Sequence, residues 1–355
     1  MNSFIKRMAI VALGTVGSLH VASASFGADA ITVALAVSPG VQYSELWFGK
    51  ELGIFEEEGL NPDIVSFNGA GLVVPQVANK SVQFGYSAND LLISAIARDE
   101  PFPTKFVYSH LRSGTNSFTV LADSDIQSYA DLKGKRVGVY TLSTSLIPQS
   151  RAAFDQIGLD WDKEVEMVVV GVGPAAWKQL TDGNVDALNL FYSQDAAMRM
   201  AGIEIRPMLY PDSIRKMFGQ GILAHEDTIR DNPDLVERFG RALAKSTIAC
   251  EANREACIRA FWKAFPASQP MPDEEEAAME NAKSIYAATY TGVSDFDGGE
   301  RRWGSFTPGS IDPYANYITA GKVDYDWDEL YTNQFVDAYN DFSVEEYAER
   351  GRSAQ

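Results

Sequence analysis

Residues 31 to 95 and residues 136 to 200 run through the same order of elements, and this duplication constrains the fold more than any other feature of the chain. In the first copy an apolar strand, Ile31 to Val37, leads through a polar loop and a helix to a second strand, Asp63 to Phe67. A Gly-rich loop and a helix follow, then Lys80-Ser81-Val82-Gln83-Phe84-Gly85 and a further loop into a helix. The second copy has Arg136 to Tyr140, a Ser/Thr loop, Val165 to Val170, Gly171-Val172-Gly173, and Gly183-Asn184-Val185-Asp186-Ala187 before its last helix. Short apolar runs alternating with helical patterns predict α/β units with parallel strands. Two such units facing one another enclose a cleft, the usual place for a small molecule.

Ahead of the first copy, Lys6 and Arg7 precede a mostly apolar stretch from Met8 to Val21, and Ala22-Ser23-Ala24 has the small-x-small form of a secretory cleavage site. Residues 1–24 are therefore expected to be a signal peptide, with Ala28-Asp29-Ala30 marking an alternative end at residue 30. The stretch is short beside the roughly 20 residues of a membrane span. An exported, periplasmic, soluble and monomeric chain is the expectation. After cleavage 28 basic residues face 48 acidic ones, a net charge of −20, which argues against nucleic acid or an anionic membrane surface as partner.

Two cysteines, Cys250 and Cys257, fall beyond that leader. An oxidising compartment favours a disulfide between them. Seven residues of continuous helix would hold the two Cα atoms about 10 Å apart, so a bridge requires the helix to break near Asn253 and restart. Two buried thiols are the alternative.

The chain is too long for one small core and suits two lobes. Residues 31–122 and 214–355 are expected to form lobe 1 with its C-terminal helices, and residues 123–213 lobe 2. The crossings near 122 and 214 are the candidate hinge strands. Asn232 and Pro233 signal a helix start, with Leu235, Val236, Phe239 and Leu243 on one face. The acidic run from Asp273 reads as a solvated first turn. Phe335, Tyr339 and Phe342 read as packing against a lobe.

Catalytic inventory is thin. Beyond the leader the histidines are His110 and His225, no His/Cys/carboxylate cluster has metal-ligand spacing, and neither a Gly-x-Ser-x-Gly elbow nor a phosphate loop is present. No catalytic residue, metal or cofactor is expected.

The loops at strand C-terminal ends, where open α/β sheets bind ligands, are instead rich in amides, hydroxyls and aromatic rings. Gln42 and Tyr43 sit at a helix start with Trp47 one turn on, placed either in a pocket or in the core, and Glu45 beside them faces solvent or a cationic group. Asn68 and Gly69 open the next turn, where glycine permits close backbone approach. Ser87 and Asn89 correspond to Tyr192 and Gln194 in the second copy, with Asp90 and Asp195 reading as capping groups. Thr141, Ser143, Thr144 and Ser145 precede a helix, forming either an anion site of hydroxyls and free N–H groups or an ordinary cap.

The run from Trp47 to Leu60, the lead Asp131-Leu132-Lys133-Gly134-Lys135-Arg136-Val137-Gly138-Val139, and Leu180-Thr181-Asp182-Gly183-Asn184-Val185-Asp186-Ala187 together resemble the solute-binding proteins of the nitrate/sulfonate/taurine and thiamine-pyrimidine-precursor (NMT1/THI5-like) group. The resemblance implies a two-lobed periplasmic binding protein fold of type II, each lobe a mixed sheet flanked by helices and joined by two hinge strands. It implies hinged closure on a small molecule, delivery to the permease of an ATP-binding-cassette (ABC) importer, and ligand contacts at Gln42, Tyr43, Asn68, Ser87 and Ser143 to Ser145. Gln83 departs from the group's acidic residue at that position. Members that became pyrimidine-synthesising enzymes carry a cysteine cluster that this chain lacks. The expected ligand is a sulfonate, an aromatic carboxylate or a pyrimidine-like compound. A secreted enzyme using the same cleft, or a sensing module docking on a receptor, are the alternatives.

Overall fold

The computed structural model describes residues 28–296 and 299–355. The expected signal peptide lies outside the described residues. Ten strands build two five-stranded sheets. The first sheet contains β1 (Asp29–Leu35), β2 (Leu60–Ser66), β3 (Phe84–Ser87), β4 (Thr104–Leu111) and β10 (Gln220–His225), in the order β2-β1-β3-β10-β4. The second contains β5 (Asn116–Leu121), β6 (Arg136–Val139), β7 (Glu166–Val169), β8 (Ala187–Phe191) and β9 (Ile205–Leu209), in the order β7-β6-β8-β5-β9. In each sheet the first three strands run parallel, and the fourth, β10 or β5, is antiparallel to both neighbours. The duplication read in the sequence is thus a duplication of sheet topology.

The exception at Gln83 has a physical resolution. In the second sheet Asp186 donates its N–H to the Arg136 carbonyl at 2.8 Å and accepts the Arg136 N–H on Oδ2 at 2.8 Å. In the first, Gln83 donates its N–H to the Thr32 carbonyl at 3.0 Å and accepts the Thr32 N–H on Oε1 at 2.7 Å. An amide oxygen accepts as a carboxylate does, so the turn into the third strand keeps its anchor without the charge.

One boundary differs from the sequence expectation. β5 pairs with β8 and β9 in the second sheet, so the chain leaves the first sheet at residues 112–115 rather than near 122. The return runs through residues 210–219. The residues of Ser117 to Leu121 carry no local mark of the sheet they join, and only pairing partners assign the strand.

Helices of at least eight residues are labelled in chain order: α1 (Ser44–Glu51), α2 (Ala70–Ala78), α3 (Asp90–Ala97), α4 (Leu146–Asp155), α5 (Pro174–Thr181), α6 (Tyr192–Met200), α7 (Pro233–Ala252), α8 (Arg254–Ala264), α9 (Glu275–Val293) and α10 (Val344–Ser353). α7 starts at Pro233 as its signals predict, although the Asn232 side chain makes no capping bond. Its apolar face packs under the first sheet, where Phe239 stacks on Phe84 with ring centroids 4.1 Å apart. Phe335 and Tyr339 are buried in the same core, and the Tyr339 hydroxyl donates to the Val107 carbonyl at 2.9 Å. Among the described residues no helix is long and apolar enough to cross a membrane.

α7 and α8 are separated by Asn253, whose side chain accepts the Ala256 N–H at 3.1 Å and so starts the new helix. That break brings the Cα atoms of Cys250 and Cys257 to 5.1 Å, and the two form a disulfide. Replacing both with alanine should lower the unfolding free energy by roughly 2 kcal/mol, as expected for closing so short a loop. Urea denaturation checks this, and an unchanged midpoint would mean that the bridge does not stabilise the folded chain.

Candidate ligand-binding site

A cavity of about 250 Å³ lies between the two sheets and takes its wall from both. From the first sheet come the β1 loop (Ser38, Pro39, Gly40, with Gln42 and Tyr43), the start of α2 at Gly69 and Ala70, and Gln220 at the head of β10. From the second come Tyr140, Thr144 and Ser145 after β6, and Phe191, Ser193 and Gln194 at the junction of β8 and α6. Thr115 enters from the crossing, Asn116 from the start of β5, and Thr289 from α9. α9 packs on α6 and so closes the cavity across the cleft.

Of the described residues that line it, none is Asp, Glu, Lys, Arg or His. Polarity comes from hydroxyls, amides and helix ends. α2, α4 and α6 begin at the wall, and their N-caps Gly69, Ser145 and Phe191 make no side-chain capping bond. The Leu146 N–H of α4 is met by Thr144 Oγ1 at 3.4 Å and the Tyr192 N–H of α6 by the Thr115 carbonyl at 2.8 Å, and the three helices still direct their positive ends toward the space. The Ser193 side chain, which is buried, lines the cavity at the start of α6.

Aromatic surface comes from Tyr43, Tyr140 and Phe191, the last two with ring centroids 6.2 Å apart at 64°. Tyr43 is fixed from behind. Its hydroxyl donates to Gln220 Oε1 at 3.3 Å, its ring lies at 26° to the His110 imidazole, and burial raises its phenol pKa to about 12.

Behind Tyr43 sits a buried pair. Glu45 faces His110 across 3.6 Å, and Glu45 Oε1 and His110 Nε2 have no hydrogen-bond partner. Burial pushes the Glu45 carboxyl up to about 8 and the His110 imidazole down to about 4. At neutral pH the two are a carboxylic acid and a neutral imidazole. Glu45 therefore meets neither solvent nor a ligand cation, because the turn into α1 folds it onto β4.

Of the residues read from the sequence, Gln42, Tyr43, Gly69, Thr144, Ser145 and Gln194 line the cavity together. Gln194 is also committed elsewhere: its Oε1 accepts from the Gly173 N–H at 2.8 Å and from the Trp177 indole at 3.0 Å. The others lie outside the wall. Trp47 packs edge-on against Phe261 and Phe265, with centroids 5.4 and 5.1 Å away. Ser87 is buried and donates to the Ala88 carbonyl, and buried Asn89 directs its Nδ2 at Met217 Sδ. Asn68, Thr141 and Ser143 sit at the rim, and the Tyr192 hydroxyl is buried without a partner.

Nor do the two aspartates cap helices. Asp195 accepts from Ser117 and Thr119 on β5, both at 2.6 Å, pinning α6 to its sheet. Asp90 is buried, with its carboxyl raised to about 7 by desolvation. The wall also holds Tyr140, Phe191 and Ser193, which belong to the loops read from the sequence without being picked as contacts, and Asn116, Gln220 and Thr289, which sequence reasoning missed. Tyr140 and Phe191 end apolar strands, a positional signal; Thr289 sits mid-helix and carries none.

Comparison with known proteins agrees with this architecture. The family model described as NMT1/THI5 like matches residues 41–256. A putative thiamine biosynthesis protein of Haemophilus influenzae is 26% identical over 251 residues, covering 69% of this chain and 76% of that protein. Riboflavin-binding protein RibY of Chloroflexus aurantiacus is 21% identical over 243 residues, covering 67% of each. Among solved structures, the periplasmic aliphatic sulphonate binding protein SsuA of Escherichia coli shares the fold, with a TM-score of 0.60 and 16% identity over 82% of this chain and 85% of that one. The matched segment contains nine of the ten strands, all but β1, and most of the cavity wall, and on that evidence the chain belongs to the NMT1/THI5-like family.

Proposed function

We propose that this protein is the solute-binding component of an ABC importer, exported to the periplasm as a monomer, which closes two lobes on one small organic molecule and presents it to a membrane permease. Lobe 1 is the first sheet with the C-terminal helices, lobe 2 is the second sheet, and the crossings at 112–115 and 210–219 are the hinge. The observation that carries the reading is the cavity, whose wall is divided between the two sheets. Relatives named for riboflavin and sulphonate binding support it.

The wall also narrows the ligand. Tyr43, Tyr140 and Phe191 favour a planar portion, and the starts of α2, α4 and α6 favour an anionic or strongly accepting end. A cavity of about 250 Å³ is at the small end for ligand pockets and suits a single-ring compound. A thermal-shift panel of aromatic carboxylates, sulfonates and pyrimidines should contain a compound that raises the melting temperature by several degrees. A panel in which no class does so would sink the reading.

The same fold can host catalysis, so fold does not choose between binding and turnover. Here no carboxylate, imidazole, ammonium or thiol lines the wall among the described residues, and both cysteines are in the disulfide. A compound recovered unchanged after long incubation is the expected result.

A further inference from the structure

Two hydrogen bonds cross the mouth of the cleft, and both end on Asn68. The Ser143 hydroxyl donates to the Asn68 main-chain carbonyl at 2.6 Å. The Tyr140 phenol donates to the Asn68 side-chain Oδ1 at 3.3 Å. Asn68 lies between β2 and α2 of the first sheet, whereas Tyr140 and Ser143 lie between β6 and α4 of the second. Tyr140 is also part of the cavity wall, with its ring facing Phe191. One side chain thus borders the ligand space and hydrogen-bonds to the opposite sheet.

We propose that Tyr140, Ser143 and Asn68 form a latch that holds the lobes closed, with Tyr140 as the positioning residue that links occupancy of the cavity to the grip on Asn68. The proposal rests on the two-lobed binding reading above. Both bonds require the sheets to be close, so they lower the free energy of the closed form and leave the open form unchanged. A contact made in one state shifts the equilibrium by its whole net strength. For an ordinary hydrogen bond that is roughly a fivefold change in the ratio of closed to open molecules. A ligand packed against the Tyr140 ring holds the phenol in the direction that reaches Asn68, and the latch then tightens on the loaded form. Asn68 and Ser143, read from the sequence as ligand contacts, act instead on each other.

The test uses the full mature chain with no ligand added. Spin labels at Asp63→Cys on β2 and Glu166→Cys on β7, both exposed positions, report the distance between the sheets by electron resonance. The parent should show a short-distance population. Asn68→Ala and Tyr140→Phe should each move it roughly fivefold toward longer distances. The double variant should do no more than either single one, because both remove the same bond. Ser143→Ala should add a further shift, and Ser143→Thr, which keeps a hydroxyl, should restore the parent distribution. Circular dichroism confirms that each variant is folded.

Distance distributions unchanged from the parent, a parent without a short population, or singles whose effects add in the double variant would each overturn the latch. Since no compound enters the measurement, failure of the ligand panel leaves this result standing, and failure here leaves the panel unaffected.

Discussion

Alanine at Gly69 should weaken capture of the compound that stabilises the protein by roughly 5- to 150-fold, because overpacking of this kind costs about 1–3 kcal/mol. Gly69 meets Ser143 across the cleft. A Cβ there would lie 2.3 Å from Ser143 Oγ, 2.7 Å from its carbonyl oxygen and 3.0 Å from its carbonyl carbon. The hydroxyl can turn aside, but the backbone carbonyl cannot, so the lobes must part. That clash exists in the closed form alone and is read as lost affinity.

A second cost acts in both forms. Gly69 has φ +112, a conformation in which a side chain is strained, and this lowers the ligand-free melting temperature by a few degrees. Gly173→Ala separates the two. Gly173 also has positive φ, +78, yet nothing lies within 4 Å of the Cβ it would gain. It should show the loss of stability with little loss of affinity. Titration calorimetry on both variants decides the matter, and equal affinity losses at the two positions would refute a clash across the cleft.

Stability should fall by roughly 2 kcal/mol between pH 6.5 and pH 9, and Glu45→Gln should remove most of that fall. Folded, the Glu45 carboxyl keeps its proton up to about pH 8; unfolded, it releases the proton near 4.5. The folded state therefore binds more protons throughout that window, and stability drops as pH rises through it. His110 has the opposite sign. Its imidazole stays neutral down to about 4 when folded but takes a proton near 6.5 when unfolded, so stability rises with pH between those values.

The two nearly cancel up to about pH 6.5, and above it the Glu45 contribution is the largest. The Asp90 carboxyl, raised to about 7, adds a smaller loss in the same direction that ends near pH 7. Glutamine keeps the shape of the protonated acid without a proton to lose. Urea unfolding of parent and variant at pH 6.5 and 9 checks this. A parent with equal stability at both values, or a variant that loses as much stability as the parent, would show that Glu45 ionises freely in the fold.

Much of the architecture was legible because it depends on period and punctuation. Apolar strand runs, Gly-rich turns, the Pro233 helix start and the break at Asn253 are local signals, and each appears in the structure close to where its residues place it. Even Gln83, a departure from the family pattern, keeps its role because the turn needs an acceptor rather than a charge. The site was legible as a set of loops. Of the residues named in them, those on the inner side of a turn line the cavity, and those one or two positions away face the rim, the hinge or the core.

The sequence by itself determined that there are two copies of one α/β unit, what leads each copy's helices, and that the loops between them carry hydroxyls, amides and rings instead of charges. Those properties reside in neighbouring residues along the chain. Tertiary structure alone decided that β5 belongs to the second sheet, that Trp47 turns to Phe261 and Phe265, that Glu45 is sealed against His110, and that Asn68 reaches Tyr140 and Ser143 across the cleft. Each of these depends on which groups from distant segments arrive at the same place, and hydrogen-bond pairing, burial and close packing settle that only once both sheets are formed.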